Sequence, residues 1–195
     1  MVQGFGSVGQ HAARFLAEQG ARLVGVSDSH GARVAPDGFD LDTLLHFKGA
    51  GGRVAEFEQG EAIKADDLIA VASDIWIPAA RPDVIRADNA ARMNTRVVAQ
   101  GANIPATADA ERMLAERGIL VIPDFVANAG GVICAAVEYH QGTQSQALAA
   151  IRERIDANVR EVLERATATR AMPRQVALEI ASERVRRAMS VRRTW

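Results

Sequence analysis

The chain has 195 residues, 48% hydrophobic and 24% charged, with 23 basic side chains against 24 acidic ones, a composition of globular rather than disordered or fibrous proteins. A formal net charge of -1 gives no bulk electrostatic reason to hold nucleic acid or an anionic membrane. Cys134, the single cysteine, excludes an internal disulfide, reads as a buried small hydrophobe and fits a cytoplasmic setting, while no window approaches the roughly 18 unbroken apolar residues of a membrane span.

Taken in chain order, short apolar runs of strand length alternate with helical stretches. Val2-Gln3 is the remnant of a first strand, shorter than the about 5 to 6 residues typical of one. From Ser7 to Gln19, Val8, Ala12, Phe15 and Leu16 share a helix face, and Gly20 is placed to end that helix in a left-handed cap. A second strand covers Leu23 to Val26. Gly31 to Asp67 reads as an excursion between sheet elements, with a turn at Pro36-Asp37-Gly38, a short helix near Leu41 to Phe47 and a flexible Gly49-Ala50-Gly51-Gly52.

Beyond it come a strand at Ile75-Trp76-Ile77, a helix from Asp83 through Met93, and a strand at Val97-Val98-Ala99. A helix from Thr107 or Asp109 to near Gly118 and a strand at Ile119 to Ile122 follow. After Gly142, Gln144 to Thr169 and Pro173 to Val191 form two long amphipathic helices, with Ile151, Ile155, Val159, Val162 and Leu163 at helical spacing. The alternation predicts an α/β, doubly wound, Rossmann-type fold: a mainly parallel sheet with helices on both faces, followed by the two long helices. Residues 1–142 are the expected dinucleotide-binding core and 143–195 its helical extension.

The most informative segment is Gly4-Phe5-Gly6-Ser7-Val8-Gly9, a G-x-G-x-x-G pattern between a strand and a helix. Gly4 would make the tight turn, Gly6 would admit a pyrophosphate to the backbone, and Gly9 would let helix and strand pack closely. The helix N-terminus adds amide donors and a positive dipole end. About 20 residues on, the second strand ends at Ser27-Asp28, where a carboxylate can accept hydrogen bonds from an adenosine ribose and repel the extra phosphate of NADP. NAD is therefore the expected cofactor. The plainer alternative is a ligand-free glycine turn with Asp28 capping Asp28-Ser29-His30-Gly31.

Asp74 to Ala80, Gln100-Gly101-Ala102-Asn103 and Asp124 to Val132 fall where loops at strand carboxyl ends should surround a ligand. Asn103 and Asn128 can both donate and accept, which suits a nicotinamide carboxamide or ribose, although asparagine also simply builds turns.

Together GFGSVG, VSDSHG, SDIWIPAA, QGAN and PDFVANAGGV resemble the cofactor-binding domain of the glutamate/leucine/phenylalanine/valine dehydrogenase family over essentially the whole chain, with a pattern closest to glutamate dehydrogenases. The resemblance implies NAD-dependent oxidative deamination of an L-amino acid. It implies that Ser7 contacts the pyrophosphate, Asp28 the adenosine ribose, Ala79 and Ala80 the cofactor cleft, and Asn103 and Asn128 the nicotinamide end. It also implies a homo-oligomer when intact, and a catalytic lysine and aspartate supplied by an N-terminal domain that is expected to be absent here.

Only Lys48 and Lys64 are lysines. Neither resembles the family's glycine-rich catalytic segment, and both read as solvated surface charges. No catalytic residue and no metal ligand is expected in this chain. Substrate choice is open: where glutamate-specific relatives resemble T-V-S, this chain has Ile133-Cys134-Ala135, so Val132 and Ala135 suit an apolar pocket wall or a plain buried helix face. Two other readings stand beside the dehydrogenase. One is a binding or regulatory module without catalysis. The other is a hydroxy-acid dehydrogenase, which would need a histidine–carboxylate pair, whereas His11, His30, His46 and His140 read as surface or cap residues.

Overall fold

The computed structural model describes residues 1–191. The chain divides into two compact units, Met1–Asp124 and the part from Phe125 onward. The first is a seven-stranded sheet of order β4-β3-β2-β1-β5-β6-β7. Its strands are β1 (Val2–Gln3), β2 (Gly25–Asp28), β3 (Gly31–Val34), β4 (Glu61–Ile63), β5 (Ser73–Pro78), β6 (Thr95–Ala99) and β7 (Leu120–Ile122). β1 runs parallel to β2 and β5, and β5, β6 and β7 continue in parallel, while β3 and β4 are antiparallel additions at one edge. The fold is therefore the expected α/β, mainly parallel, Rossmann-type sheet.

Side-chain alternation builds two cores. Ile75 and Ile77 of β5 pack with Val2, Val26, Ala13 and Leu44 on one face, while Trp76 between them packs with Val98, Ala90, Ala110 and Leu114 on the other. Helices α1 (Ser7–Glu18) and α2 (Leu41–Gly49) serve the first face, and α3 (Ala87–Ala90) and α4 (Ala108–Glu116) the second. Leu44, Leu114 and Val98 are fully buried, and each such side chain contributes about 1.5–3 kcal/mol relative to exposure. Helix ends follow their local chemistry. Gly20 and Gly118 take positive φ just beyond α1 and α4, and the Thr107 hydroxyl caps α4 by accepting from the Ala110 amide.

Three expectations change. The segment after Gly31 is no mere excursion, because it supplies β3 and β4; their alternating apolar positions are too few to show as periodicity. The helix expected from Asp83 to Met93 shrinks to Ala87–Ala90. Asp83 takes φ +53°, and the Asp83 and Ile85 amides donate to the Ile104 and Pro105 carbonyls, so tertiary backbone pairing displaces the helix there. The second strand ends at Asp28 as expected but starts two residues later than Leu23, because the Leu23 and Val24 carbonyls accept from the Phe39 and Ala35 amides instead of a neighbouring strand.

The second unit is helical: α5 (Asp124–Ala127) leads into it, followed by α6 (Gly130–Tyr139), α7 (Gln144–Thr169) and α8 (Pro173–Val191). The two long helices are as expected. Thr143 and Gln146 close a capping box at the start of α7, with the Thr143 amide donating to Gln146 Oε1 at 2.7 Å. Among the described residues no helix is long and apolar enough to cross a membrane.

Candidate cofactor-binding site

The register fixes where a site can form. Gln3 lies opposite Ser27 on one side and Pro78 on the other, so β1, β2 and β5 end together. The chain proceeds from β1 to β2 in one direction and resumes at β5 in the other, and that reversal opens a crevice at the carboxyl ends of the strands. A cleft of about 870 Å³ occupies the position, lined by the turn after β1, the end of β2 and the start of the β5–α3 connection.

The glycine turn has the geometry its sequence predicts. Gly4 has φ +93°, and a Cβ there would come within 2.7 Å of the Ala80 backbone. A Cβ on Gly9 would overlap the Gly4 carbonyl oxygen and lie 2.9 Å from Val2 Cγ1. Gly6, the residue preceding α1, has an extended backbone, and nothing lies within 4 Å of where its Cβ would be. Gly4 and Gly9 are thus required by packing, whereas Gly6 leaves room that the fold itself does not use. The Gly4 and Phe5 amides donate to the Ser27 carbonyl, tying this turn to the end of β2. Phe5 lines the cleft with its backbone, because its side chain is only 1% exposed and belongs to the core. Ser7 and Val8 stand exposed in the first turn of α1.

Gln3, at the floor of the cleft, has a buried Oε1 with no hydrogen-bond partner among the described residues. An unmet buried acceptor costs about 1–3 kcal/mol, so a donor arriving with a ligand is favoured. The glycine cradle, the open face at Gly6 and this acceptor together fit a dinucleotide.

The far end of the cleft is built from side chains. Asp28 ends β2 and Ser29 follows it, as expected, but Asp28 is already engaged: Oδ2 accepts from Lys48 Nζ at 2.7 Å and from the Val54 amide at 2.8 Å, and Oδ1 accepts from the His30 amide at 2.8 Å. Burial pushes the Asp28 carboxyl upward, yet the Lys48 hydrogen bond, the two amides and the Lys48 charge outweigh it and hold the group below its ordinary value of 3.8. A carboxylate offers about four acceptor sites, so roughly one remains for a ribose hydroxyl.

The reading of Lys48 as a solvated surface charge is therefore corrected. Its side chain is 14% exposed and lines the cleft. It sits in the last turn of α2, where the negative end of the helix dipole favours a cation. No sequence periodicity links residues 28 and 48; only the folding of α2 against the end of β2 does. Lys64 is exposed, as expected, and so are all four histidines. His30 Nδ1 lies 3.8 Å from Asp28 Oδ1, a histidine–carboxylate approach whose carboxylate is already held by Lys48.

Ala79 and Ala80 line the cleft as expected, with the Ala79 amide donating to the Gln3 carbonyl. Arg81, Arg86, Arg92 and Asp66, which the sequence reading did not single out, line it too. Asn103 is exposed beyond β6 and outside the cleft lining. Its segment is held by the Pro78 carbonyl, which accepts from the Gly101 and Ala102 amides, and by Asp124 Oδ2, which accepts from the Ile104 amide at 2.9 Å. Gln100 is a buried strut: Nε2 donates to Glu111 Oε1 at 2.7 Å and Oε1 accepts from the Asp124 amide at 2.9 Å.

In the second unit, Asn128 is half-buried between α5 and α6, while Val132 and Ala135 are exposed on α6. Cys134 is half-buried rather than buried, because Ile133 is the buried residue of α6; burial and the nearby Glu138 carboxylate raise its thiol above the ordinary value. Among the described residues no cluster of side chains suits a metal ion.

Comparison with known proteins bears on this site. The family model described as glutamate/leucine/phenylalanine/valine dehydrogenase matches residues 1–193. A glutamate dehydrogenase of Aeropyrum pernix is 38% identical over 98% of this chain and 48% of its own length. An NADP-specific glutamate dehydrogenase of Saccharolobus shibatae is 42% identical over 71% of this chain and 33% of its own. An NAD-specific one of Staphylococcus aureus is 39% identical over 85% and 39%. Among solved structures, the hetero-hexameric glutamate dehydrogenase of Thermus thermophilus superposes with a TM-score of 0.84 at 25% identity, covering 100% of this chain and 47% of that one. The chain thus spans between a third and a half of the length of these proteins.

Proposed function

Because the chain belongs to the glutamate/leucine/phenylalanine/valine dehydrogenase family, we propose that it is the cofactor-binding part of a nicotinamide-dependent enzyme that oxidatively deaminates an L-amino acid to a 2-oxo acid and ammonia. The observation that carries this reading is the cleft at the reversal of strand order, with a glycine cradle at one end and Asp28 at the other. Glutamate is the proposed substrate, supported by the names of the relatives. A homo-oligomer is proposed for the intact enzyme.

When bound, the nicotinamide supplies the acceptor for the hydride leaving the α-carbon. The residues of this chain hold and orient that cofactor. The Gly6 backbone and the first amides of α1 would meet the diphosphate, Asp28 and Ser29 the adenosine ribose, and Asn103 the nicotinamide end. In the second unit, Asn128 keeps the cofactor role the resemblance gives it, and Val132 and Ala135 the role of substrate-pocket wall. The chain's two lysines offer no amine for the chemical step, since Lys48 is paired with Asp28 and Lys64 is exposed at the start of a 3-10 turn. A catalytic lysine must then come from a part of the enzyme other than these residues.

NAD is the proposed cofactor, through Asp28. Lys48 cancels much of that carboxylate's charge, so the discrimination against NADP should be weaker than a lone aspartate would give. Calorimetric titration tests the proposal: NAD should bind the folded chain, and absence of binding at millimolar NAD would overturn it.

A further inference from the structure

Four cations line the cleft: Lys48, Arg81, Arg86 and Arg92. Three of them are spent on carboxylates. Lys48 Nζ lies 2.7 Å from Asp28 Oδ2, Arg86 Nε 3.1 Å from Asp88 Oδ1, and Arg92 Nη2 2.7 Å from Asp67 Oδ1. Arg81 forms no ion pair within 4 Å among the described residues. Of the carboxylates lining the cleft, Asp66 likewise lacks an ion pair among the described residues; it belongs to the turn at Ala65–Ala70 whose Asp67 binds Arg92. Arg81 directly follows Ala80, the residue whose backbone stands 2.7 Å from where a Gly4 Cβ would be. An uncompensated guanidinium is thereby placed beside the turn whose open face is Gly6.

We infer that Arg81 is a further cofactor-binding residue, supplying the cationic partner for the diphosphate of the dinucleotide. The inference rests on the cofactor reading above. Backbone amides and a helix dipole offer only about half an elementary charge to a diphosphate carrying about two. The first turn of α1 contains no basic residue. A guanidinium matches phosphate oxygens with two parallel donors. An arginine left without a carboxylate beside an anion cradle can release its charge to the ligand without first breaking an ion pair.

Calorimetry with ADP-ribose, adenosine and 2′-phospho-ADP-ribose on the chain and its Arg81→Met and Arg81→Lys variants provides the test. Arg81→Met should weaken ADP-ribose by roughly ten- to thirtyfold, the scale of one charge-assisted contact. It should leave adenosine, which has no phosphate, unchanged, and reduce the salt dependence of ADP-ribose binding. Arg81→Lys should recover part of the loss. The thermal midpoint should not move, because the side chain is exposed. Equal affinities of Arg81→Met and the parent for ADP-ribose would overturn the inference while leaving the cofactor reading intact. A loss confined to 2′-phospho-ADP-ribose would overturn it also, by moving the contact to the ribose. Failure of the parent chain to bind ADP-ribose would overturn both.

Discussion

The two ends of the cleft are made of different materials. At the glycine turn the ligand-facing surface is backbone, held by exclusions that allow no side chain at Gly4 or Gly9. At the end of β2 it is a carboxylate whose charge and free acceptors are set by Lys48, Val54 and His30, the first two more than 19 residues away in sequence. A backbone site is written in local sequence, because each glycine answers a local steric demand. A side-chain site is written in tertiary neighbours, so its electrostatics can differ from what the key residue alone suggests.

That contrast can be broken most forcefully at Gly4. Gly4→Ala places a Cβ 2.7 Å from the Ala80 backbone at a φ of +93°, and should cost about 2–4 kcal/mol. Thermal and denaturant midpoints should fall and cofactor binding should go with them. A fully stable variant would show that the turn is not sterically determined.

Gly6→Ala separates fold from function more sharply. Nothing lies within 4 Å of the added carbon, so stability should change by less than about 0.5 kcal/mol. Affinity for NAD should nonetheless fall by at least about tenfold, since the methyl occupies the approach of the diphosphate. Equal NAD affinity would show that the open face is not where the diphosphate sits.

At the other end, Asp28→Ala should weaken NAD by about tenfold, the low end for a charged acceptor with one site to spare. It also leaves Lys48 without its carboxylate, so the ratio of NAD to NADP affinity should move toward NADP. An unchanged ratio would sever Asp28 from the ribose.

The smallest effect is on acid stability. Asp28 titrates below its unfolded value of 3.8 in the folded chain, so its contribution is complete above that value and is lost as pH falls through the lower folded one. Urea midpoints measured from about pH 5 down to about pH 2.5 should therefore drop less steeply for Asp28→Asn than for the parent. Identical slopes would mean that the Lys48 pair adds nothing.

Much of the fold was legible because its signals are local. The 12 residues of α1 carry a helical apolar face between Gly6 and Gly20, and β5 announces itself as Ile-Trp-Ile before a proline. Asp28 was readable for the same reason, being placed by its spacing from the glycine turn, whereas Ala79 and Ala80 were readable only through the family resemblance of SDIWIPAA. What was hidden depended on contacts distant in sequence. β3 and β4 are only 4 and 3 residues long and are defined by pairing. The expected helix after Asp83 yielded to hydrogen bonds that the Asp83 and Ile85 amides donate to the carbonyls of residues 104 and 105. Lys48 looked like any surface lysine until α2 folded its last turn against the end of β2.

The most direct test of the central claim is a crystal structure of the chain grown with NAD. The diphosphate should lie against the Gly6 backbone and the start of α1, with the adenosine ribose within hydrogen-bond distance of Asp28. NAD bound elsewhere on the chain, with the cleft beside Gly6 and Asp28 left open, would contradict it.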